Sequence, residues 1–250
     1  MTATLNGAML AAKKMPLWVC ELGSVPYGEA LELQRRLRAR RQRDETPDTL
    51  LLLEHPHTFT IGRRGDSSSI LLDRDELRAR NVTLFETNRG GKVTYHGLGQ
   101  VVGYPIINLS PDREDVHRYV RDLETVLIRT MGDFGINAFR IDGLTGVHTE
   151  RGKVAAIGVH IARWVTTHGF ALNVNTDLSY FDLIIACDGE PVTSMEALLG
   201  NETDLSVVED RIATHFADIF SYVEYSIDPR STGTLLPADS SHPDNHLATV

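Results

Sequence analysis

RGGKVTYHGLGQVVGY (residues 89–104) holds five glycines, one histidine and two tyrosines, then runs directly into the apolar PIINL. A glycine-rich, aromatic stretch ending in a strand-like run reads as a loop between strands, so a β-rich surrounding is expected. The loop has neither GxGxxG spacing nor a GK[ST] ending, which argues against a dinucleotide or P-loop site. Gly90, Gly91, Gly97 and Gly99 permit positive φ and close approach of backbone to a ligand, so that N–H groups can meet an oxygen or line a narrow slot. A purely structural turn is the alternative reading of the same glycines.

Upstream of the loop, LWVCELG reads as a strand, and a helix follows from Pro26 through YGEALELQRRLRARRQR. TLLLLEH and TFTIG, separated by Pro56, read as a hairpin; a short helix near 74–80 and the strand VTLFET come next. Downstream, REDVHRYVRDLETVLIRTMGDF places Val116, Tyr119, Val120, Leu123, Val126 and Leu127 on one helix face, closed by Gly135. NAFRID, GVHT, KVAAIGVHIARWV and GFALNV are short β-rich segments, and a last helix is expected near 207–222. The pattern predicts an α+β fold, a mixed β-sheet core flanked by helices. Residues 1–16 read as a flexible arm, 17–230 as a single domain, and 231–250, polar and proline-interrupted, as a disordered tail.

The chain has 250 residues, 42% of them hydrophobic, enough for a sizeable core, and a net charge of -9. That acidity lacks the basic footprint that phosphate backbones require, so no nucleic-acid partner is expected. No apolar run approaches the roughly 18 residues of a membrane span. With only two cysteines, Cys20 and Cys187, no disulfide framework is expected, and a reducing cytoplasm is the natural setting.

Cys20 sits among Trp18, Val19 and Leu22 and reads as core. Cys187 lies where the apolar FDLIIA breaks into the turn-like CDGEP, the kind of loop on which nucleophiles are displayed. A free thiol is mostly protonated at neutral pH, so a nucleophilic cysteine needs a cation, a base or a helix N-terminus nearby. Lys153, between Gly152 and an apolar run, is the candidate cation, although most lysines lie on the surface. At about 4 Å and an effective dielectric near 20 it would favour the thiolate by roughly 4 kcal/mol before desolvation reduces the gain. His55 and His57 flank a proline, but no acidic or cysteine cluster completes a ligand set, and no metal is expected. His96 is equally suited to bonding its own loop or contacting a substrate.

These residues together resemble the lipoyl(octanoyl) transferase family. Arg89, Gly90, Gly91, Thr94, Tyr95, His96, Gly99, Gln100 and Tyr104 fit its loop pattern; Lys153 to Gly158 match its lysine-plus-apolar segment; HGFALN at 168–173 matches its third motif; and Cys187 falls at its catalytic cysteine. The sequence departs from the family in Leu98, where a proline is common, and in ACDG, where Pro-Cys-Gly is usual. The resemblance implies a fold similar to the catalytic domain of biotin and lipoate protein ligases. It also implies transfer of an octanoyl (or lipoyl) group from acyl carrier protein to a lysine of a lipoyl domain, without a cofactor.

In that scheme Cys187 is the nucleophile, Lys153 holds the thiolate and relays protons, and backbone N–H groups stabilise the oxyanion. The implied acyl slot comprises Arg89, Gly90, Gly91, Lys92, Val93, Thr94, Tyr95 and His96, with Ala156, Ile157, Gly158, Gly169, Phe170 and Ala171. Tyr95 and Phe170 suit either slot wall or core. The expected acceptors are the lipoyl domains of 2-oxoacid dehydrogenases and the glycine cleavage H protein. The charge run Arg35, Arg36, Arg38, Arg40, Arg41 and Arg43 is a candidate docking face for the acidic carrier, though most such runs are solvated faces. An ATP-dependent lipoate-protein ligase, a non-catalytic acyl-binding protein and a cysteine thioesterase are the alternatives.

Overall fold

A computed structural model describes residues 15–185 and 189–226. The expected arm and tail fall largely outside the described residues, as does Cys187. The described chain forms β1 (Met15–Ser24), α1 (Tyr27–Arg41), β2 (Asp48–Glu54), β3 (Thr58–Ile61), α2 (Arg74–Ala79), β4 (Thr83–Glu86), β5 (Val93–His96) and β6 (Gln100–Ile106). It continues through α3 (Val116–Asp133), β7 (Val147–Thr149), β8 (Gly152–Ala162), β9 (Val165–Asn173), α4 (Met195–Leu199), α5 (Leu205–Phe220) and β10 (Tyr222–Ser226). A seven-stranded mixed sheet runs β10-β1-β2-β6-β9-β8-β7, and a three-stranded sheet runs β4-β3-β5.

The leucine run of β2 explains the layering. Successive side chains of a strand point to opposite faces, so Leu50 and Leu52 join the core under α3 and α5, while Leu51 and Leu53 join the one under α1. All four are fully buried, and each contributes about 2 kcal/mol by removal from water. α5 supplies Val208, Ile212, Phe216 and Phe220, spaced by four, to the first core, and α3 adds Tyr119, Leu123, Val126, Leu127 and Met131. Asp115 and Asp204 cap α3 and α5 by accepting backbone N–H bonds. Val116, expected on the buried face of α3, is exposed at its first turn.

Three expectations change. The segments around Pro56 are not a hairpin: β2 pairs with β1 and β6 in the large sheet, and β3 pairs with β4 and β5 in the small one. His55 anchors the crossing, its Nδ1 2.7 Å from the Val25 carbonyl and its Nε2 2.8 Å from the Tyr104 hydroxyl. The glycine loop contains a strand of its own, β5, held against β3. Tyr222, assigned to the last helix, instead starts β10, because the chain turns at Ser221 in the left-handed conformation (φ 63°).

Candidate active site

Glycines let the 89–92 loop lie against the large sheet. The Gly90 N–H donates to the Val159 carbonyl of β8 at 3.0 Å, and a Cβ on Gly158 would come within 2.8 Å of the Gly90 oxygen. Gly91 adopts φ 90°, open to glycine and strained for other residues. Arg89 is buried and braces the loop: its guanidinium donates to the Thr60 carbonyl (2.7 Å) and hydroxyl (2.8 Å) and to the Gly90 carbonyl (2.9 Å).

β8 and β9 pair Ala156 with Ala171, Ile157 with Phe170 and Gly158 with Gly169. Three motifs distant in sequence therefore meet: the 89–92 backbone, the small residues of β8 and those of β9. Lys92 and Thr94 are partly exposed in and beside β5, whereas Val93 is buried. Both aromatic rings of the expected slot lie in cores. Tyr95 is fully buried in the small-sheet core, stacked on Tyr180, with its hydroxyl 2.8 Å from His57 Nδ1. Phe170 covers Gly103, where any Cβ would collide with its ring, and belongs to the core under α3 and α5.

A buried polar cluster backs the loop. His96 Nδ1 lies 2.8 Å from Gln100 Oε1; the Gln100 amide donates to Asn173 Oδ1 (2.9 Å), and the Asn173 amide donates to the Thr193 carbonyl (3.0 Å). This chain of bonds links the loop, HGFALN and the segment that follows Cys187. His168 sits at φ 55°, its Nε2 2.8 Å from Asn88 Oδ1 and its backbone N–H donating to Gln34. Burial, reinforced by Arg89, His160, Arg35 and Arg38, lowers its pKa to about 3; burial lowers that of His55 to about 4 and pushes His96 well below its ordinary value. These imidazoles are neutral at pH 7, and His96 serves its own loop through Gln100.

Lys153 opens β8 and is clamped on both sides. Its N–H donates to the Pro191 carbonyl at 2.8 Å, and its carbonyl accepts from Thr193 N–H at 3.0 Å, so 191–193 runs beside β8 a few residues after Cys187. Lys153 Nζ lies 2.7 Å from Glu190 Oε2, and Glu190 Oε1 lies 3.5 Å from Nε2 of the buried His148. The sequence reading missed Glu190 and His148; the one sequence signal was the closeness of Glu190 to Cys187. A cavity of about 630 Å³ adjoins this segment, lined by Leu178, Phe181, Ile184, Ile185, Glu190 and Pro191 among others, and by none of the expected slot residues. Cys20 is buried in the core under α1, and burial pushes its thiol up to about 12, which makes it inert. Among the described residues no three His, Cys, Asp or Glu side chains converge on a possible metal position, and no helix is long and apolar enough to cross a membrane.

The described fold, with its two sheets and flanking helices, is that of lipoate-protein ligases. A bipartite lipoate protein ligase from Thermoplasma acidophilum matches with TM-score 0.68 at 16% identity, covering 86% of this chain and 89% of that one. A lipoate-protein ligase A solved with ATP matches with TM-score 0.66 at 14% identity, covering 87% and 90%. Residues 26–217 match the model of the lipoyl protein ligase A/B catalytic domain, and the chain belongs to that family. Within it the near relatives are octanoyltransferases. That of Solibacter usitatus is 53% identical over 203 residues, covering 81% of this chain and 92% of the relative. That of Koribacter versatilis is 47% identical over 232 residues, covering 90% and 92%. The chain is an acyltransferase of protein lipoylation.

Proposed function

We propose that this enzyme transfers octanoyl groups through a thioester on Cys187. The Cys187 thiolate attacks the thioester carbonyl of octanoyl-acyl carrier protein; the carbon–sulfur bond to the pantetheine breaks, and the departing sulfur takes a proton from Lys153. The amine of a lipoyl-domain lysine then attacks the acyl-enzyme, gives a proton to Lys153 and expels the Cys187 thiolate. One thioester replaces another and the amide lies downhill, so no ATP is consumed. The observation that carries this reading is the clamp of Lys153 onto 191–193, which ties the candidate base to the chain carrying Cys187.

Gly158, facing the 89–92 loop, and the small residues Ala156, Gly169 and Ala171 on the paired strands β8 and β9 suit a straight acyl chain, whose burial at about 0.8 kcal/mol per CH₂ contributes roughly 5 kcal/mol to binding. Acyl carrier protein is the donor, and lipoyl domains of 2-oxoacid dehydrogenases and the glycine cleavage H protein are the acceptors, in the cytoplasm, served by a single catalytic domain over 17–230. Carrier docking on α1 involves fewer arginines than the charge run suggests. Arg41 is buried against Asp48 (2.6 Å) and Arg43 pairs with Glu45 (2.5 Å), while Arg35 and Arg38 lie near enough to bias His168 toward its neutral form. The test is octanoylation of a lipoyl domain from octanoyl-carrier protein without ATP. Product independent of ATP and lost in Cys187→Ser supports the reading; a strict ATP requirement would overturn it in favour of a ligase.

A further inference from the structure

The ion pair at Lys153 has a partner that the transfer scheme does not use. Glu190 Oε2 lies 2.7 Å from Lys153 Nζ, both side chains are less than one-fifth exposed, and His148, with 2% exposure, stands behind the carboxylate at 3.5 Å. Among the described residues no hydrogen bond satisfies either ring nitrogen of His148, and its Nε2 faces Glu190 Oε1 at 3.5 Å. Space around the lysine is also tight: a Cβ on Gly146 would come within 3.3 Å of Lys153 Cε, and one on Gly152, at φ 126°, would come within 2.3 Å of the Pro191 oxygen.

We propose that Glu190, backed by His148, is a positioning residue that holds the Lys153 amine in place through both half-reactions. The inference rests on the reading of Cys187 and Lys153 as the reacting pair. Its chemical logic follows the charges. In the resting enzyme one ammonium, with three donors, can serve a carboxylate and a thiolate together. When the acyl group arrives, Cys187 becomes a neutral thioester and Lys153 has given its proton to the departing pantetheine sulfur. The Glu190 carboxylate then remains as the fixed negative charge that draws the next proton, from the incoming lipoyl-domain amine, onto Lys153 Nζ. With Lys153 charged, burial raises the pKa of the Glu190 carboxyl, and Lys153 and His148 together outweigh it, leaving the group below its ordinary value.

Aminolysis of the acyl-enzyme is therefore the sensitive step. Glu190→Gln keeps the shape and removes the charge; it should slow aminolysis of preformed octanoyl-Cys187 by at least about tenfold while KM for octanoyl-carrier protein stays within about twofold. Glu190→Asp, shorter but charged, should recover most of that loss. His148→Asn, which leaves the ion pair but removes its backing, should slow the same step by about threefold with KM unchanged. The inference is overturned if Glu190→Gln aminolyses at the wild-type rate, or if Gln and Asp variants lose kcat equally with KM and melting temperature changing in parallel, the signature of a purely structural role. Lys153→Ala is the control. If it inactivates the enzyme while Glu190→Gln does not, the positioning role fails and the Cys187–Lys153 reading stands; if it is fully active, that reading fails first.

Discussion

Gly158→Ala is predicted to damage octanoyl transfer far more than Gly90→Ala, although the two glycines face each other. A Cβ at 158 would lie 2.8 Å from the Gly90 carbonyl oxygen and 3.3 Å from Arg89 Cδ. The first contact is with backbone, so relief requires moving the 89–92 loop away from β8 and stretching the Gly90 N–H bond to the Val159 carbonyl. A Cβ at 90 would meet only the Val159 oxygen at 3.6 Å, an ordinary contact. Overpacking of this kind costs about 1–3 kcal/mol. If the displaced loop is a wall of the acyl slot, that energy appears as a loss of kcat/KM for octanoyl-carrier protein of about five- to 150-fold. Initial rates of lipoyl-domain octanoylation give the kinetic loss, and urea titration of the same variants gives the folding term. The reasoning is refuted if Gly158→Ala stays within twofold of wild type, or if Gly90→Ala loses as much.

Further predictions concern the scaffold. Asp48 accepts from Arg41 Nε (2.6 Å), the Tyr222 hydroxyl (2.5 Å) and the Asn108 N–H (2.8 Å); Asp48→Ala leaves the buried Arg41 guanidinium with the exposed Asp44 as its remaining carboxylate partner and should lower unfolding free energy in urea by about 3 kcal/mol. His55 is held neutral, with its pKa lowered from about 6.5 to about 4, so the unfolded chain binds the extra proton. Its contribution to stability should be complete above about pH 6.5 and fall by about 3 kcal/mol as pH drops toward 4, in addition to the losses from His96 and His168; urea midpoints across this range will show the slope, and His55→Gln should reduce it. Glu209 is the opposite case: burial, with Glu21, Glu54 and Asp204 nearby, raises its pKa to about 7. Glu209→Gln should therefore stabilise the fold at pH 8 by about 1 kcal/mol after allowance for solvent screening, with the gain shrinking toward zero near pH 4. Cys20→Ala should leave the transfer rate unchanged, because that thiol is buried and protonated.

Elements with a long, regular pattern were legible in the sequence. The four-residue spacing in α5 and the aromatic and aliphatic face of α3 are local signals, and so is the leucine run of β2. Pairing was less legible, because it depends on distant partners. Pro56 reads equally as a hairpin turn or as a crossing between two sheets, and only the bonds of His55 to Val25 and Tyr104 decide. β5 hides among glycines, and β10 is too short to outweigh the helix before it. At the site, the residue motifs named the 89–92 loop, β8 and β9, which meet through the Gly90–Val159 bond and the β8–β9 pairing. Burial was not visible in them: Tyr95 and Phe170 are aromatic residues beside small ones, and both rings fill cores. Arg41 looked like its neighbours in a charge run until Asp48 was seen to bury it. Glu190 and His148 come from opposite sides of β8 in sequence, and their meeting at Lys153 is a tertiary fact.

The covalent intermediate is the centre of the account, and intact mass spectrometry tests it directly. The enzyme is mixed with octanoyl-carrier protein, without ATP and without a lipoyl domain, then quenched in acid. The account predicts the mass gain of one octanoyl group, mapped to Cys187, absent in Cys187→Ser and discharged when a lipoyl domain is added. Octanoylated lipoyl domain formed at the wild-type rate by Cys187→Ser, with no adduct on the enzyme, would contradict it.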